Sequence, residues 1–399
     1  MPYILKEEGF ENLFPLTLSR HTFELKVGAF SNYERLINLT KDDVYLIPSN
    51  NLIPNKYKKF EGNEEDAIVL ISNLIIEEDF LRKILQKKEK RVIIKSNDKV
   101  VGYTYSLLEQ GIDSKVNNVI NTEAKIVEKV YDLIKYNKEM LFKDTLILSK
   151  NFEEIKISYN KVGKFTLVSD GDIYLEPNVV FDLREGPIFI GDGTYIQANT
   201  RIEGPTYIGK NSLIITNANI RRSYIGNNCV IGGEVTNSII LDYTNSRHNS
   251  YIGDSYLGEW VNIGALSVVS NLKNTYGTIR YNNLYDKEET GMKKLGVILA
   301  DHVKVSIGSL LFGGKSAGFS SHIYFILNRS IPSFTIWNGE KNEGYEFLFE
   351  SAIEVAKRYM KSKKIEFTDY HYKLFKNIFD YTVKDREKLN IKKLHFTLN

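Results

Sequence analysis

Aliphatic residues recur every six positions through the middle of the chain. The first run comprises Ile190, Ile196, Ile202, Ile208, Ile214, Ile220, Ile225 and Ile231. Two later runs comprise Ile252, Leu257, Ile263 and Val269, and then Leu299, Val305, Leu311, Ala317 and Ile323. A period of six suits neither an α-helix nor a flat strand, and it is typical of a parallel β-helix. Each short strand would point one aliphatic side chain inward, and glycine, asparagine and aspartate would form the corners because they tolerate positive φ.

Two stretches break the repeat, and we predict that both leave the coil. They are residues 237–250, where the period lapses, and residues 271–297, which are polar and rich in asparagine, lysine and tyrosine. Stacked coils form a rigid scaffold, and reacting groups are usually carried on loops that a scaffold positions. His248 lies at the end of the first stretch. It is a candidate general base, because an imidazole titrates near neutral pH.

The residues around His248 resemble a known family of bifunctional enzymes, the N-acetylglucosamine-1-phosphate uridyltransferase/glucosamine-1-phosphate acetyltransferases. The matching residues are His248, Tyr251, Gly253, the turn Asn262-Ile263-Gly264-Ala265, and Asn271. The chain is more similar still to a variant branch of sugar nucleotidyltransferases, through GGEVTNSII, DSYLGEWVNIGA, SNLKNTYG and IPSFTIWNG. The resemblance implies a left-handed β-helix, acetyl-CoA as cosubstrate, an amino sugar phosphate as acceptor, and a homotrimer with its sites between neighbouring β-helices.

The resemblance also implies a role for each matching residue. His248 would remove the proton from the attacking amine. The backbone N–H of Ala265 would stabilise the oxyanion that develops on the thioester carbonyl. Asn271 would orient the substrate or the histidine, and Tyr251 and Asn262 would bind the sugar phosphate.

The phosphate-binding cations of the family have no direct counterpart in this chain. Counting back at the family's spacing leads to Ala218 and Thr236, which carry no charge. Arginine suits a phosphate through bidentate contacts, so nearby basic residues are candidate replacements. They are Arg221, Arg222, Arg247 and Lys273, of which we assign Arg247 and Lys273 to substrate binding.

The first 165 residues alternate apolar runs with charged amphipathic stretches. Residues 44–48, 67–72 and 91–95 are predicted to be buried strands, and residues 80–90 a helix. This alternation is typical of an α/β domain with a partly parallel sheet.

The segment LFPLTLSRHTFELKVG, residues 13–28, resembles the nucleotidyltransferase signature P-L-T-x-x-R-P-K…G. His21 replaces the proline and Thr22 replaces the lysine, and Lys6-Glu7-Glu8-Gly9 stands where the family has its glycine-rich loop. Asn73 stands where the family has an aspartate for magnesium. The residues assigned to nucleotide binding are Arg20, Glu24, Lys26 and Gly28, with a salt-linked strand edge as the alternative. If this domain is active, a nucleoside triphosphate and Mg²⁺ would be its partners.

Charge and composition exclude several other classes. The net charge is +3, from 53 basic and 50 acidic residues, and no sustained basic stripe favours nucleic acid as a partner. Cys229 is the only cysteine, so neither an internal disulfide nor a thiolate zinc site is expected. The charged N-terminus does not resemble a signal peptide, and no apolar stretch of about 18 residues would span a membrane. We therefore expect a cytoplasmic protein.

The tail is predicted to form a helical cap over the coil stack. One helix would place Leu348, Ala352, Val355 and Tyr359 on one face. A second, capped by Thr368-Asp369, would carry Leu374, Phe375, Ile378 and Phe379. The predicted organisation is a nucleotidyltransferase-like domain over 1–165, a left-handed β-helix over 166–338, and a helical cap over 339–399.

The leading hypothesis is an acetyl-CoA-dependent N-acetyltransferase acting on an amino sugar phosphate, with a nucleotidyltransferase-like domain attached. The alternative is a nucleotide-sugar-binding regulatory protein without catalysis. A third hypothesis, a zinc lyase resembling the γ-class carbonic anhydrases, would need three neighbouring histidines. Its only candidates are His248, His302 and His322, whose spacing does not match such a site, so no metal is predicted there.

Overall fold

The computed structural model describes residues 2–54, 57, 67–86, 91–107, 118–156 and 159–393. The chain divides into two compact units. The N-terminal unit comprises Met1–Lys26 and Phe30–Val130, and the solenoid unit comprises Val27–Ala29 and Tyr131–Asn399. Among the residues just given, no helix has the length and apolar character needed to cross a membrane.

The N-terminal unit is built on a partly parallel six-stranded sheet, as predicted. Its strands, in spatial order, are Val44–Ile47, Tyr3–Lys6, Ile68–Ile71, Lys99–Thr104, Ile93–Ser96 and Val119–Thr122. Only Lys99–Thr104 runs antiparallel to its neighbours. Helices α1 (Asn32–Thr40) and α2 (Glu78–Leu85) accompany it, with short 3₁₀ helices at Phe10–Leu13, Leu16–Leu18 and Thr22–Glu24. The predicted helix 80–90 corresponds to α2, and its residues 87–90 lie outside the described residues.

The solenoid unit is a parallel β-helix with three faces. The first face comprises Leu167–Ser169, Ile188–Ile190, Thr206–Ile208, Tyr224–Ile225, Ile239–Ile240, Tyr256–Leu257, Val297–Leu299 and Lys315–Ala317. The second comprises Tyr174–Leu175, Tyr195–Ile196, Leu213–Ile214, Val230–Ile231, Asn245–Ser246, Asn262–Ile263, Lys304–Val305, His322–Tyr324, Thr335–Asn338 and Glu343–Glu346. The third comprises Asn160–Gly163, Val180–Leu183, Arg201–Glu203, Asn219–Arg221, Glu234–Thr236, Tyr251–Gly253, Val268–Val269, Leu310–Leu311 and Ile326–Leu327.

One continuous aliphatic column fills the inside of these coils. Every residue of the three predicted six-residue runs points into it and is at most 3% exposed. Burying one such side chain contributes about 1.5–3 kcal/mol relative to leaving it in water. The predicted fold class, an N-terminal α/β domain followed by a β-helix and C-terminal helices, is confirmed.

The first predicted departure from the coil, over residues 237–250, is wrong. The chain continues through the strands Ile239–Ile240 and Asn245–Ser246. Ser246 points inward, six residues before Ile252, and is fully buried. Its Oγ lies 2.8 Å from Oγ of Ser250, so the hydroxyl is satisfied inside the coil. The repeat is therefore unbroken here, but the sequence pattern does not show it because a serine occupies an aliphatic position.

The second predicted departure, over residues 271–297, is confirmed. The middle of the segment forms an antiparallel hairpin of Arg280–Asn282 and Lys287–Glu289. The Leu295 N–H donates to the Asn271 carbonyl at 3.0 Å, which closes the base of the excursion. The chain therefore leaves the coil after the third face and re-enters at Val297–Leu299, the first-face strand of the next coil.

Helices cover two faces of the solenoid. Helix α3 (Asp132–Asn151) lies against the first face, beside Ile188–Ile190 and Thr206–Ile208. Helices α4 (Phe349–Ser362), α5 (Asp369–Tyr381) and α6 (Val383–Lys388) follow the last coil. On the second face, the Tyr359 hydroxyl of α4 donates to the Tyr243 carbonyl at 3.1 Å. The third face of the middle coils carries no helix in the described structure.

The C-terminal helices close the end of the stack, as the tail pattern predicts. Thr368 caps α5, with its N–H donating to Nδ1 of His371 at 3.0 Å. Phe375 packs edge-on against Phe319 of the last coils, with ring centroids 4.7 Å apart. The predicted face of α4 is only partly correct, because Leu348 is exposed. The residues of α4 that are buried are Ala352, Ile353, Ala356 and Met360.

Candidate functional site

The candidate site is built on one corner of the solenoid, between its second and third faces. His248 lies on the turn that joins Asn245–Ser246 to Tyr251–Gly253, and it is exposed together with Arg247 and Asn249. Its ring makes no hydrogen bond within the part of the chain that the structure describes. His248 is therefore presented by the coil itself, and not by the departing loop that the sequence predicted.

The turn containing Ala265 occupies the same corner in the next coil. The Leu266 N–H donates to the Asn249 carbonyl at 2.8 Å, which places the two turns edge to edge. Neighbouring strands lie about 4.8 Å apart, so His248 and Ala265 are adjacent along the stack. The Ala265 carbonyl accepts from the Gly308 N–H at 2.8 Å, but its own N–H has no acceptor among the described residues. One unoccupied donor and one imidazole thus share the corner.

Tyr251 and Asn271 meet on the third face beside this corner. Nδ2 of Asn271 donates to the Tyr251 hydroxyl oxygen at 3.0 Å. Gly253 makes the contact feasible, because a Cβ at this glycine would lie 2.5 Å from Nδ2 of Asn271 and 2.7 Å from Oη of Tyr251. The motif glycine therefore has a steric role in the site.

A buried carboxylate holds Asn271 from behind. Asp254 is 6% exposed and accepts from Nδ2 of Asn271 at 2.6 Å and from Nδ2 of Asn237 at 2.7 Å. Burial raises the pKa of Asp254, and the two amides and the charges of Lys294 and Arg222 only partly oppose that rise. Asp254 is thus a positioning residue for Asn271.

Sequence analysis did not identify Asp254, Asn237 or Lys294. Asp254 and Asn237 adopt positive φ, at 47° and 44°, and so have the sequence signature of ordinary corner residues. Lys294 lies on the return of the excursion, next to Leu272 across an isolated bridge. The position of Asp254 directly after Gly253 was the one available signal.

Asn262 lies on the opposite side of the corner, on the second face. Its Oδ1 accepts from Nδ2 of Asn245 in the preceding coil at 2.9 Å. The structure therefore does not bring Asn262 into the Tyr251–Asn271 pair. The two predicted sugar-binding residues flank the corner that carries His248.

Lys304 is the residue that pairs with Asn262 in the adjacent strand of the next coil. Its amine donates to the Trp260 carbonyl and lies 3.9 Å above the ring of Tyr359. Burial lowers the pKa of Lys304 to about 7. Burial and the charge of Lys304 also lower the pKa of His322, to about 4.

We expect Lys304 to make stability pH-dependent. Between pH 7 and pH 9 the amine is protonated in the unfolded chain but loses its proton in the folded chain, so the free energy of unfolding rises with pH. The slope has an upper limit of about 1.4 kcal/mol per pH unit. Urea unfolding at several pH values should show that Lys304→Met removes this slope, whereas Lys361→Met, at an exposed position of α4, retains it. Equal slopes in the two variants would contradict the assignment.

The basic residues considered for phosphate binding lie on different parts of the solenoid unit. Arg247 is exposed at the corner. Lys273 is exposed on the excursion, and its charge, with that of Lys287, adds to burial in lowering the pKa of Lys315. Arg221 forms an ion pair with Glu234 on the third face. Arg247 is thus the basic candidate nearest to His248 in the chain.

The residues predicted to bind nucleotide have partners within the chain. Oε2 of Glu24 accepts from the His21 N–H at 2.7 Å, and its Oε1 accepts from the hydroxyl of Tyr57 at 2.6 Å. Lys26 donates to Oε1 of Glu34 at 2.6 Å. Arg20 is buried, at 7% exposure.

Gly28 packs against helix α3 within the solenoid unit. Its N–H donates to Oδ1 of Asn137 at 3.3 Å. A Cβ at Gly28, where φ is +79°, would lie 2.4 Å from Oδ2 of Asp144. The glycine therefore permits a close approach of the chain to α3.

The described residues do not fit the metal sites that were considered. Nδ2 of Asn73 donates to the Val127 carbonyl at 3.1 Å, and its side chain lacks the negative charge of the aspartate that the family has there. His302 is buried and stacked with Trp260. No group of three or more His, Cys, Asp or Glu side chains within the described ranges could hold a metal ion. The zinc hypothesis and the magnesium expectation therefore gain no support.

Comparison with known proteins bears on both units. Residues 3–152 match the family model described as sugar nucleotidyl transferase. A bifunctional sugar-1-phosphate nucleotidylyltransferase/acetyltransferase of Sulfurisphaera tokodaii is 27% identical over 296 residues, which cover 68% of this chain and 67% of that protein. The chain is related to these bifunctional transferases. The resemblance predicted from the sequence is therefore confirmed.

Other relatives support the same relationship. The bifunctional protein GlmU of Methanocaldococcus jannaschii is 28% identical over 313 residues, covering 68% of this chain and 74% of that protein. Among solved structures, the polySia-specific acetyltransferase NeuO has a TM-score of 0.25 at 14% identity, covering 44% of this chain and 83% of that one. The β-helix is defined by the pairing of this chain's own strands.

Proposed function

We propose that the solenoid transfers an acetyl group from acetyl-CoA to the amine of an amino sugar phosphate, at the corner carrying His248 and Ala265. The observation that carries the proposal is the adjacency of an exposed imidazole and an N–H without an acceptor in successive coils. Acyl transfer to an amine needs a base for the amine proton and a donor for the developing oxyanion. The corner offers both on a rigid support.

In the proposed reaction the amine nitrogen attacks the thioester carbonyl while the His248 imidazole takes its proton. A C–N bond forms, and the Ala265 N–H donates to the carbonyl oxygen as it gains negative charge. The C–S bond then breaks, and the coenzyme A thiolate leaves and takes up the proton that His248 had accepted, which restores the neutral imidazole. His248 is the one base in these proposed reaction steps, so its loss should affect the chemical step directly.

The Tyr251–Asn271 pair is proposed to bind the sugar phosphate beside the base. Asp254 fixes Asn271 through a 2.6 Å hydrogen bond, so the amide and the tyrosine hydroxyl are held in place before substrate arrives. Asn262 and Arg247 flank the corner on its other side. We propose that Arg247 and Lys273 contact the phosphate.

The surface next to the corner is apolar and uncovered, which supports a homotrimer. We call it the apolar flank; its members are Leu266, Val268, Ile307, Leu310, Phe312 and Phe325, exposed by 40–77%. Contiguous exposed apolar patches of this kind usually mark an interaction surface. We propose that a second β-helix of the same chain covers the flank and that the two solenoids form the walls of the acetyl-CoA cleft.

We expect the apolar flank to control both assembly and activity. The double variant Ile307→Glu/Leu310→Glu places two charges on it, and burying them would cost several kcal/mol at an interface. Light scattering should show a trimer for the wild type and a monomer for this variant, with acetyl transfer reduced about 100-fold or more. Tyr174→Glu, at an exposed site on the second face, should change neither. A wild-type monomer with full turnover would contradict the shared cleft.

The proposed activity is tested by thiol release. The full chain is incubated with acetyl-CoA and a panel of amino sugar phosphates, and free coenzyme A is measured with a thiol reagent. Cys229 is fully buried, and burial raises the pKa of its thiol, so the only cysteine adds little background. Release that depends on the amine supports the proposal. Binding of a nucleotide sugar without any release would favour the non-catalytic regulatory alternative.

A further inference from the structure

A buried carboxylate occupies the space behind the first strand of the N-terminal unit. Glu7 directly follows Tyr3–Lys6 and is 2% exposed. Its Oε1 accepts from the Thr22 N–H at 2.8 Å. Its Oε2 accepts from the N–H groups of Ser49 and Asn50, both at 2.9 Å. Three backbone donors from two separate loops therefore converge on one carboxylate.

A side chain completes this set of donors. Nδ1 of His21 lies 2.8 Å from Oε2 of Glu7. An ionised carboxylate can only accept hydrogen bonds, so this nitrogen carries a proton. The His21 ring stacks on Phe23, with centroids 4.8 Å apart, and is itself buried. The ring is thus fixed with its donor directed at Glu7.

The carboxylate remains charged in this buried place. Burial alone would raise the pKa of Glu7, but hydrogen bonds from His21, Thr22 and Asn50 outweigh it, and the pKa is lowered. A charge without such partners would be strongly disfavoured inside a protein. The donors are therefore matched to a negative charge.

Converging backbone N–H groups are the arrangement with which proteins bind free anions. In this unit the chain supplies the anion itself. Glu7 stands at the position where the sequence lacks a glycine-rich loop, and two of its donors are residues that depart from the nucleotidyltransferase signature, His21 and Thr22. The departures from the signature, at separate positions of the sequence, therefore all concern the Glu7 carboxylate.

We infer that Glu7 occupies an anion cradle formed by His21, Thr22, Ser49 and Asn50 and closes it to free phosphate groups. An entering phosphate or pyrophosphate would have to displace a carboxylate held by four hydrogen bonds. Two further contacts hold the cradle: Asn50 donates through Nδ2 to the Thr17 carbonyl at 2.6 Å, and the Thr22 hydroxyl contacts that of Ser72. Removal of the carboxylate should leave the donors in place and unpaired.

The test is a calorimetric titration of the full chain with inorganic pyrophosphate, in the presence of acetyl-CoA to occupy the solenoid site. We expect no saturable binding to the wild type. Glu7→Ala should bind with a Kd at least about tenfold below the weakest Kd that the titration can detect, which corresponds to about 1.4 kcal/mol. Glu8→Ala is the matched control, because Glu8 is exposed and its ion pair in the described structure is with Lys6 at 2.7 Å. It should behave like the wild type.

Two results would overturn the inference: pyrophosphate binding to the wild type as tight as to Glu7→Ala, or a folded Glu7→Ala that gains no binding. If Glu7→Ala does not fold, the unfolding temperatures of the wild type and of His21→Phe are measured with and without pyrophosphate. A pyrophosphate-dependent rise of the same size in both proteins would also overturn the inference. Acetyl transfer should be unchanged in Glu7→Ala. The outcome is therefore separable from that of the proposed acyl transfer.

Discussion

Replacing His248 with alanine should lower the turnover of acetyl transfer by about 10²–10⁴-fold, the usual contribution of a general base. The physical reason is that His248 is the imidazole at the corner where the Ala265 N–H has no acceptor among the residues that the structure describes. The side chain is exposed and makes no hydrogen bond in the described structure, so the fold does not depend on it. Initial rates by thiol release, with circular dichroism and light scattering on the same preparation, make the measurement.

Asn249→Ala is the matched control for this variant. Asn249 is the next residue on the same turn, equally exposed, and it contacts the following coil through its backbone carbonyl, which the substitution retains. We expect near-normal rates and an unchanged trimer. If His248→Ala also turned over at a near-normal rate, the assignment of the base would be wrong.

Gly253→Ala should reduce acetyl transfer about 100-fold while leaving the β-helix folded. The new Cβ would lie within 2.7 Å of both Oη of Tyr251 and Nδ2 of Asn271, so one of the two side chains must move. A displacement of about 1 Å in a positioning group can cost about 10²-fold in rate. The overpacking itself should cost about 1–3 kcal/mol of stability, measured by urea unfolding.

Two further variants establish that Gly253→Ala acts through Asn271. At Gly277, on the excursion, the nearest atom to an added Cβ is 3.8 Å away, so Gly277→Ala should leave rate and stability unchanged. In Asn271→Ala/Gly253→Ala the clash with the amide is absent although the close approach to Oη of Tyr251 remains, so Gly253→Ala should cost less in this background than in the wild type. Fully additive losses would show that Gly253 acts by another route.

Most of the solenoid could be predicted from sequence because one position in six is fixed by burial. Ile190 and its equivalents face a column made mostly of aliphatic side chains, so the period survives in the sequence. The repeat was lost at Ser246 because a serine can be buried when Ser250 satisfies its hydroxyl. That partner is a tertiary contact, and no periodicity analysis detects it.

The candidate site could be predicted only in part from the sequence. The motif indicated His248 and Ala265, but their adjacency depends on the register of two coils, which the 2.8 Å contact between Leu266 and Asn249 reveals. Asp254 and Asn237 were missed because they have the composition and positive φ of corner residues. Their function arises only from the side chains that converge on them.

The N-terminal unit shows the same limit more strongly. Its strands follow from apolar runs, but the roles of its polar residues depend on partners far along the chain. Glu7 accepts from Asn50, 43 residues later, and Lys26 pairs with Glu34 across a turn. The signature segment lies within the family-model match over residues 3–152, whereas the hydrogen bonds of each side chain required the fold.

The most direct test of the account is a crystal structure of the full chain, in the proposed trimer, with coenzyme A and an amino sugar phosphate bound. We predict that an imidazole nitrogen of His248 lies within about 3.5 Å of the substrate amine, a distance over which a base can take its proton. The Ala265 N–H should face the position of the thioester carbonyl, and the apolar flank should be covered by a neighbouring solenoid. Coenzyme A bound on another face, with the His248 ring directed at bulk solvent, would contradict the assignment of this corner as the site of acyl transfer.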